Sequence, residues 1–135
     1  KIVSHDSNAV LSTPVKKSKK ILELSKVADV VGIDEAQFFD LELVEIAQKL
    51  ALDGKRVIIA GLDMDYKGVP FGPMPGLLAV AEYITKVHAI CSRCGGLATY
   101  SYRLNEEADT QVLLGEKDRY EPRCRVCYAI GNELS

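Results

Sequence analysis

"ADVVGIDEAQFFD", residues 28–40, decides how the rest of the chain is read. Val30, Val31 and Ile33 form a short apolar run closed off by Asp29 and Asp34. That is the pattern of a fully buried strand in a parallel sheet. Just downstream, Asp40 is placed to cap a helix over 41–52, and Gly54 is placed to stop it. Leu43, Val44, Ile46, Ala47, Leu50 and Ala51 give that helix one broad apolar face. "KRVIIAGLD", residues 55–63, repeats the buried-strand pattern. Strand, helix, strand at this spacing predicts a right-handed βαβ unit. Upstream, Ser18 is placed to cap a short helix running through Val27, with Ile21, Leu22 and Leu24 as its apolar positions. Downstream come a loop rich in Gly and Pro over 64–76, a helix over about 77–83 and a third strand over 86–90. From Cys91 the pattern changes to short strands and turns. The expected organisation is an α/β core over 1–90 and a separate lobe over 91–135.

Bulk properties narrow the function classes. The 135 residues, 47% apolar and 27% charged, suit one soluble domain with a core, or one with a small appendage. A net charge of −2 makes no electrostatic case for a general nucleic-acid binder. "KKSKK", residues 16–20, is the one basic cluster and reads as a solvated helix start. No apolar run is long enough to span a bilayer, and no signal peptide is visible. The sequence begins at Lys1 rather than Met, so an N-terminal part is expected to be absent.

The four cysteines fall in two CxxC pairs, Cys91 with Cys94 and Cys124 with Cys127. Two such pairs in a chain without secretory features read as a zinc site in a reducing cytosol. Two disulfides are the competing reading, although a CxxC disulfide closes a very small ring and stabilises little by chain entropy. Four thiolates suit a closed tetrahedral site with no position left for substrate, so the metal is expected to be structural. It would clamp the ends of the segment between the pairs.

Chemistry is expected at the carboxyl ends of the strands, where open α/β sheets bind ligands. The first strand ends in Asp34 and Glu35, the second in Asp63. An apolar strand ending in Asp is the Walker B pattern, whose carboxylate helps hold Mg²⁺ beside nucleotide phosphates. Glu35 next to it is placed to act as a general base on an attacking hydroxyl. Phe38, Phe39, Tyr66 and Phe71 follow the two strand ends and are placed either to line a pocket or simply to fill the core.

As a set, "IDEAQFF", "AGLDMDYKGVPFG", "TKVHAICSRCGGLAT" and "YEPRCRVC" resemble the type II thymidine kinases, the zinc-containing cytosolic class, in order from about Ser4-His5 to Cys127. The resemblance implies a P-loop NTPase-like parallel sheet with a small zinc-bound lobe carrying a lid, the lasso loop. It implies transfer of the ATP γ-phosphoryl group to the 5′-hydroxyl of thymidine with Mg²⁺. Glu35 would be the base, and Asp34 would sit in the Mg²⁺ shell through water. Phe38, Leu62, Tyr66 and Phe71 would shape the nucleoside pocket, and Tyr120 would lie over the nucleoside. Main-chain groups of Gln111, Val112, Leu113, Leu114 and Gly115 would hold the base. Cys91, Cys94, Cys124 and Cys127 would bind the zinc. A cytoplasmic homotetramer with feedback by thymidine triphosphate, and with neither nucleic acid nor membrane as partner, completes the expectation.

Two departures stand out. No GxxxxGK[ST] phosphate loop occurs in these residues, and "RLNEEADTQVLLG", residues 103–115, is shorter than the family's usual loop. The alternative reading is a zinc-ribbon binding module on a degenerate ATPase-like core.

Overall fold

The computed structural model describes residues 2–3, 9–10, 13–15, 17–104 and 119–134. They gather into two compact units, one of residues 1–62 and 72–81, the other of residues 63–71 and 82–135. The division differs from the expected boundary at residue 90. Residues 82–90 and the loop 63–71 both go with the cysteine-bearing unit, because the loop is bonded to side chains of that unit (below).

The first unit contains a short antiparallel pair, β1 (Ile2–Val3) with β2 (Ala9–Val10), then α1 (Lys19–Leu24), β3 (Val30–Ile33), α2 (Leu43–Leu52), β4 (Arg56–Ile59) and α3 (Met74–Val80). β3 and β4 pair in parallel with Val30 opposite Arg56 and Ile33 opposite Ile59, as the βαβ reading requires. α2 ends in a Schellman motif: Gly54, at φ +86°, donates its N–H to the Ala51 carbonyl, and Lys55 donates to Leu50. Ile21, Val31, Ile33, Leu43, Ile46, Leu50, Met74 and Leu77 join in one buried cluster.

Several expectations give way here. β3 is buried on alternate residues rather than throughout: Val31 and Ile33 point into the core, whereas Val30 is 56% exposed. The cause is that α1, α2 and α3 all contribute to the cluster on the Val31 and Ile33 face. α1 stops at Leu24, where Ser25 Oγ donates to the Ile21 carbonyl at 2.6 Å. Neither Ser18 nor Asp40 caps a helix with its side chain. Ser18 Oγ instead donates to Asp40 Oδ1 at 2.6 Å, tying the start of α1 to the entry of α2. α3 begins at Met74 rather than Leu77, since Pro73 and Pro75 pre-set the φ of a first helical turn and need no intrahelical donor there.

The second unit holds β5 (Ala89–Ile90) paired antiparallel with β6 (Leu97–Ala98), β7 (Tyr100–Arg103) paired antiparallel with β8 (Tyr120–Arg123), and α4 (Arg125–Leu134). Of the expected strand over 86–90, only Ala89 and Ile90 are paired. Among the described residues no helix is long and apolar enough to cross a membrane.

Candidate functional site

The first unit carries the acid pair just past the end of β3. Glu35 lies in the left-handed region, at φ 53° and ψ 42°, the one described non-glycine residue with positive φ. A bulky side chain held there is strained by roughly 1 kcal/mol and needs local support. Three contacts supply it. Glu35 N–H donates to Asp34 Oδ1 at 2.9 Å, Ala36 N–H donates across to the Ala60 carbonyl at 3.0 Å, and Gln37 Nε2 donates to Glu35 Oε2 at 2.5 Å. Gln37 is 2% exposed, and its own Oε1 accepts the N–H of Leu62 at 3.0 Å. One buried amide therefore ties the candidate base to the segment leaving β4. Asp34 and Glu35 are themselves exposed, as a pair meeting a ligand must be. Phe38, on the short 3₁₀ turn Ala36–Phe38, is 71% exposed, and Leu62 is 52% exposed. Core packing therefore does not account for Phe38.

Sequence reasoning gave Gln37 no role, and its type alone carried no signal. Only the fold shows that both ends of its amide are occupied.

In the second unit the four cysteines are free thiols whose sulfurs lie within 4.8 Å of one another. Cys94 Sγ and Cys124 Sγ are 3.7 Å apart, far beyond the roughly 2.05 Å of a disulfide. A tetrahedron with metal–sulfur bonds of about 2.3 Å has edges of about 3.8 Å, so the spacing fits a tetrathiolate metal site. The thiols are not equivalent. Burial acts to raise Cys91, but N–H groups of the surrounding backbone, led by Cys124 and Cys94, outweigh it and bring the thiol down to about 6. Cys124 is lowered mainly by the Cys127 N–H. Cys127 goes up to about 12, pushed first by the Cys124 side chain and then by burial. Cys94 accepts the Gly96 N–H, which favours its thiolate, yet the neighbouring Cys124 and Cys91 sulfurs leave it raised. Two easy and two difficult ionisations are what mutual repulsion imposes on four thiols at this distance. A divalent cation among them removes the conflict.

Tyr66 and Tyr120 come together here, ring centroids 6.3 Å apart and tilted by 44°, with the Arg103 guanidinium 5.0 Å from the Tyr66 ring. Phe71 is half-buried at the end of the same loop, where its N–H donates to the Asp63 carbonyl at 3.0 Å. Gln111, Val112, Leu113, Leu114 and Gly115 lie outside the described residues. All six tyrosines of the chain fall in this unit, a concentration that was visible in the sequence but had not been used.

A βαβ unit with an acid pair at the strand end, chained to a lobe whose four thiols could hold a metal, defines an α/β protein with a tetracysteine module. Comparison with known proteins narrows this class. The family model described as "Thymidine kinase" matches residues 1–128. The chain belongs to the thymidine kinase family. It is 62% identical over 127 residues to a thymidine kinase of Porphyromonas gingivalis, covering 94% of this chain and 62% of that protein. It is 61% identical to one from a Rhodothermus species, covering 59% of it, and 60% identical to one from Bacteroides fragilis, covering 63% of it. The chain thus spans about six-tenths of the length of the curated relatives it matches.

Proposed function

We propose that this chain is the acceptor-side portion of a Mg²⁺-dependent kinase that transfers the γ-phosphoryl group of ATP to the 5′-hydroxyl of thymidine, giving thymidine monophosphate. The observation that carries the reading is Glu35. An exposed carboxylate is held in a strained left-handed turn at a parallel strand end, and a buried glutamine bonds to it. Strain maintained at one polar residue by several contacts is common at functional positions. Relatives named thymidine kinase favour this over a binding module.

In the proposed mechanism Glu35 accepts the proton of the 5′-hydroxyl as that oxygen attacks phosphorus, and the Gln37 amide keeps the carboxylate aimed. Asp34 would help hold Mg²⁺ through water, and that ion neutralises charge on the phosphates when bound. Phe38, Leu62, Tyr66, Phe71 and Tyr120 are the side chains assigned to the nucleoside, and main-chain groups of 111–115 would pair with the base. Donor and acceptor groups matched to its edge would reject bases that leave them unpaired. Cys91, Cys94, Cys124 and Cys127 would hold a structural zinc that staples the ends of the lasso loop, lowering the entropy that closing it must overcome. The wider assignment is a P-loop NTPase-like core with a zinc lobe, in a cytoplasmic homotetramer inhibited by thymidine triphosphate.

The test is Glu35→Gln in the full-length protein. Turnover is expected to fall by about 10²-fold or more with thymidine affinity within about threefold of normal. Normal turnover removes the base assignment.

A further inference from the structure

The loop 63–71 is braced within itself. Asp65 Oδ1 accepts the N–H groups of Lys67 at 2.8 Å and Val69 at 3.1 Å, and Asp65 N–H donates to the Val69 carbonyl at 2.9 Å. Gly68 N–H donates to the Asp65 carbonyl at 3.0 Å, closing a tight turn that Gly68 completes at φ +75°. Such a loop moves as one piece, so an outside contact acts on all of it; Lys86 Nζ pairs with Asp63 Oδ2 at 2.9 Å, the Tyr120 and Arg103 side chains lie against the Tyr66 ring, and a further contact grips the Tyr66 backbone. That contact comes from the residue following the last cysteine. Tyr128 Oη donates to the Tyr66 carbonyl at 2.6 Å.

Tyr128 is itself fixed from two directions. Its N–H donates to the Cys124 carbonyl at 2.9 Å, which places it on the first turn of α4, in the knuckle formed by the second CxxC pair. Its ring stacks on Tyr100 at 4.5 Å and meets the edge of Tyr102 at 6.3 Å. Gly68 lies against the same two rings: a Cβ there would stand 3.4 Å from Tyr100 and 3.6 Å from the Tyr128 hydroxyl. A covalent and hydrogen-bonded path therefore runs from the cysteine cluster through Tyr128 to the backbone of Tyr66.

We infer that Tyr128 is a positioning residue that couples the tetrathiol centre to the Tyr66 loop, so that metal occupancy sets the order of one wall of the nucleoside site. The inference rests on the reading of Tyr66 as a nucleoside-lining residue for its functional meaning, but not for the coupling itself. Removal of the metal frees the knuckle, the hydroxyl loses its aim, and the loop is released.

The experiment is amide hydrogen exchange over residues 64–71 of this chain, wild type and Tyr128→Phe, each zinc-loaded and chelated. The phenylalanine keeps the stacked ring and removes only the hydroxyl. In the zinc-loaded state, Tyr128→Phe is expected to raise exchange in the loop about tenfold with metal stoichiometry unchanged. Chelation is expected to raise loop exchange about tenfold in wild type and much less in Tyr128→Phe, because the link is already cut. A merely structural tyrosine would give equal chelation effects in both proteins, and that result, or unchanged loop exchange in zinc-loaded Tyr128→Phe, overturns the coupling. Thymidine added to the zinc-loaded proteins separates the two ideas. Absence of protection in wild type refutes the nucleoside reading and leaves the coupling standing, whereas equal protection in both proteins counts against the coupling.

Discussion

Gln37→Met is the sharpest probe of the acid-pair site. Methionine nearly matches glutamine in volume, so the 2%-exposed position stays filled while both hydrogen bonds disappear. The bond to Leu62 N–H is a neutral one, and its loss costs about 1 kcal/mol. The bond to Glu35 is charge-assisted, but the carboxylate is exposed and water replaces much of it, so roughly 1 kcal/mol is a fair allowance there too. Together the change should destabilise the fold by about 2 kcal/mol, lowering the urea midpoint by about 1 M for a slope of 1–3 kcal/mol per molar. Far-UV circular dichroism through a urea titration measures this. On the proposed mechanism, turnover of the full-length protein should fall about tenfold with thymidine KM little changed, since Glu35 would lose its aim and not its chemistry. A midpoint shift below about 0.2 M would refute the structural half of this reasoning. An undiminished kcat in a destabilised variant would refute the positioning half.

Gly72→Ala should be worse than its size suggests. Gly72 sits at φ +49°, and a Cβ there would overlap the Gln37 carbonyl oxygen, a backbone atom that cannot swing aside; about 2–4 kcal/mol in the same urea titration is expected. Burial acts to raise the Glu121 carboxyl, but the Arg123 guanidinium, with Ser92 and Arg93 beside it, holds it below its ordinary 4.5. A depressed carboxyl stabilises the fold above its unfolded value, so stability should drop as pH falls below about 4.5, and Glu121→Gln should flatten that acid limb in urea titrations at stepped pH. On the zinc reading, Cys124→Ser should lower bound zinc from one equivalent per chain to near none by atomic absorption, and should speed amide exchange in the Cys124–Cys127 knuckle.

The parallel βαβ frame was legible because it is written in local pattern. Two apolar runs, the first closed off by Asp29 and Asp34 and the second ending in Asp63, gave the strands, a 3.6-residue apolar period gave α2, and a glycine gave its end. What escaped was set by partners distant in sequence. The one-sided burial of β3 depends on which face the helices occupy, and no alternation in "VVGI" announces it. Asp40 looks like a cap until Ser18, twenty-two positions away, takes its carboxylate. The Gly/Pro loop looked like part of the α/β core because it follows β4, yet the hydroxyl that holds it belongs to a residue sixty-two positions later. At the site, the cysteine spacing named all four thiols of the cluster, whereas Gln37 could be found only by following hydrogen bonds from Glu35.

The two units differ in what holds them together, and this gives the cysteines their physical role. Every member of the buried apolar cluster lies in the first unit. In the second, the buried apolar residues among those described are Cys91 and Ala98, joined by a buried Arg123 whose guanidinium lies 3.5 Å from the Tyr102 ring centroid. Among the described residues the second unit has no buried apolar cluster, so a tetrathiolate metal, bound with an energy on the order of 10 kcal/mol, would act as its staple. A divalent cation there would also resolve the conflict among the thiols, whose own repulsion pushes Cys127 up to about 12. Chelation is therefore expected to loosen the cysteine knuckle first and, through Tyr128, the loop that carries Tyr66, the residue facing Tyr120.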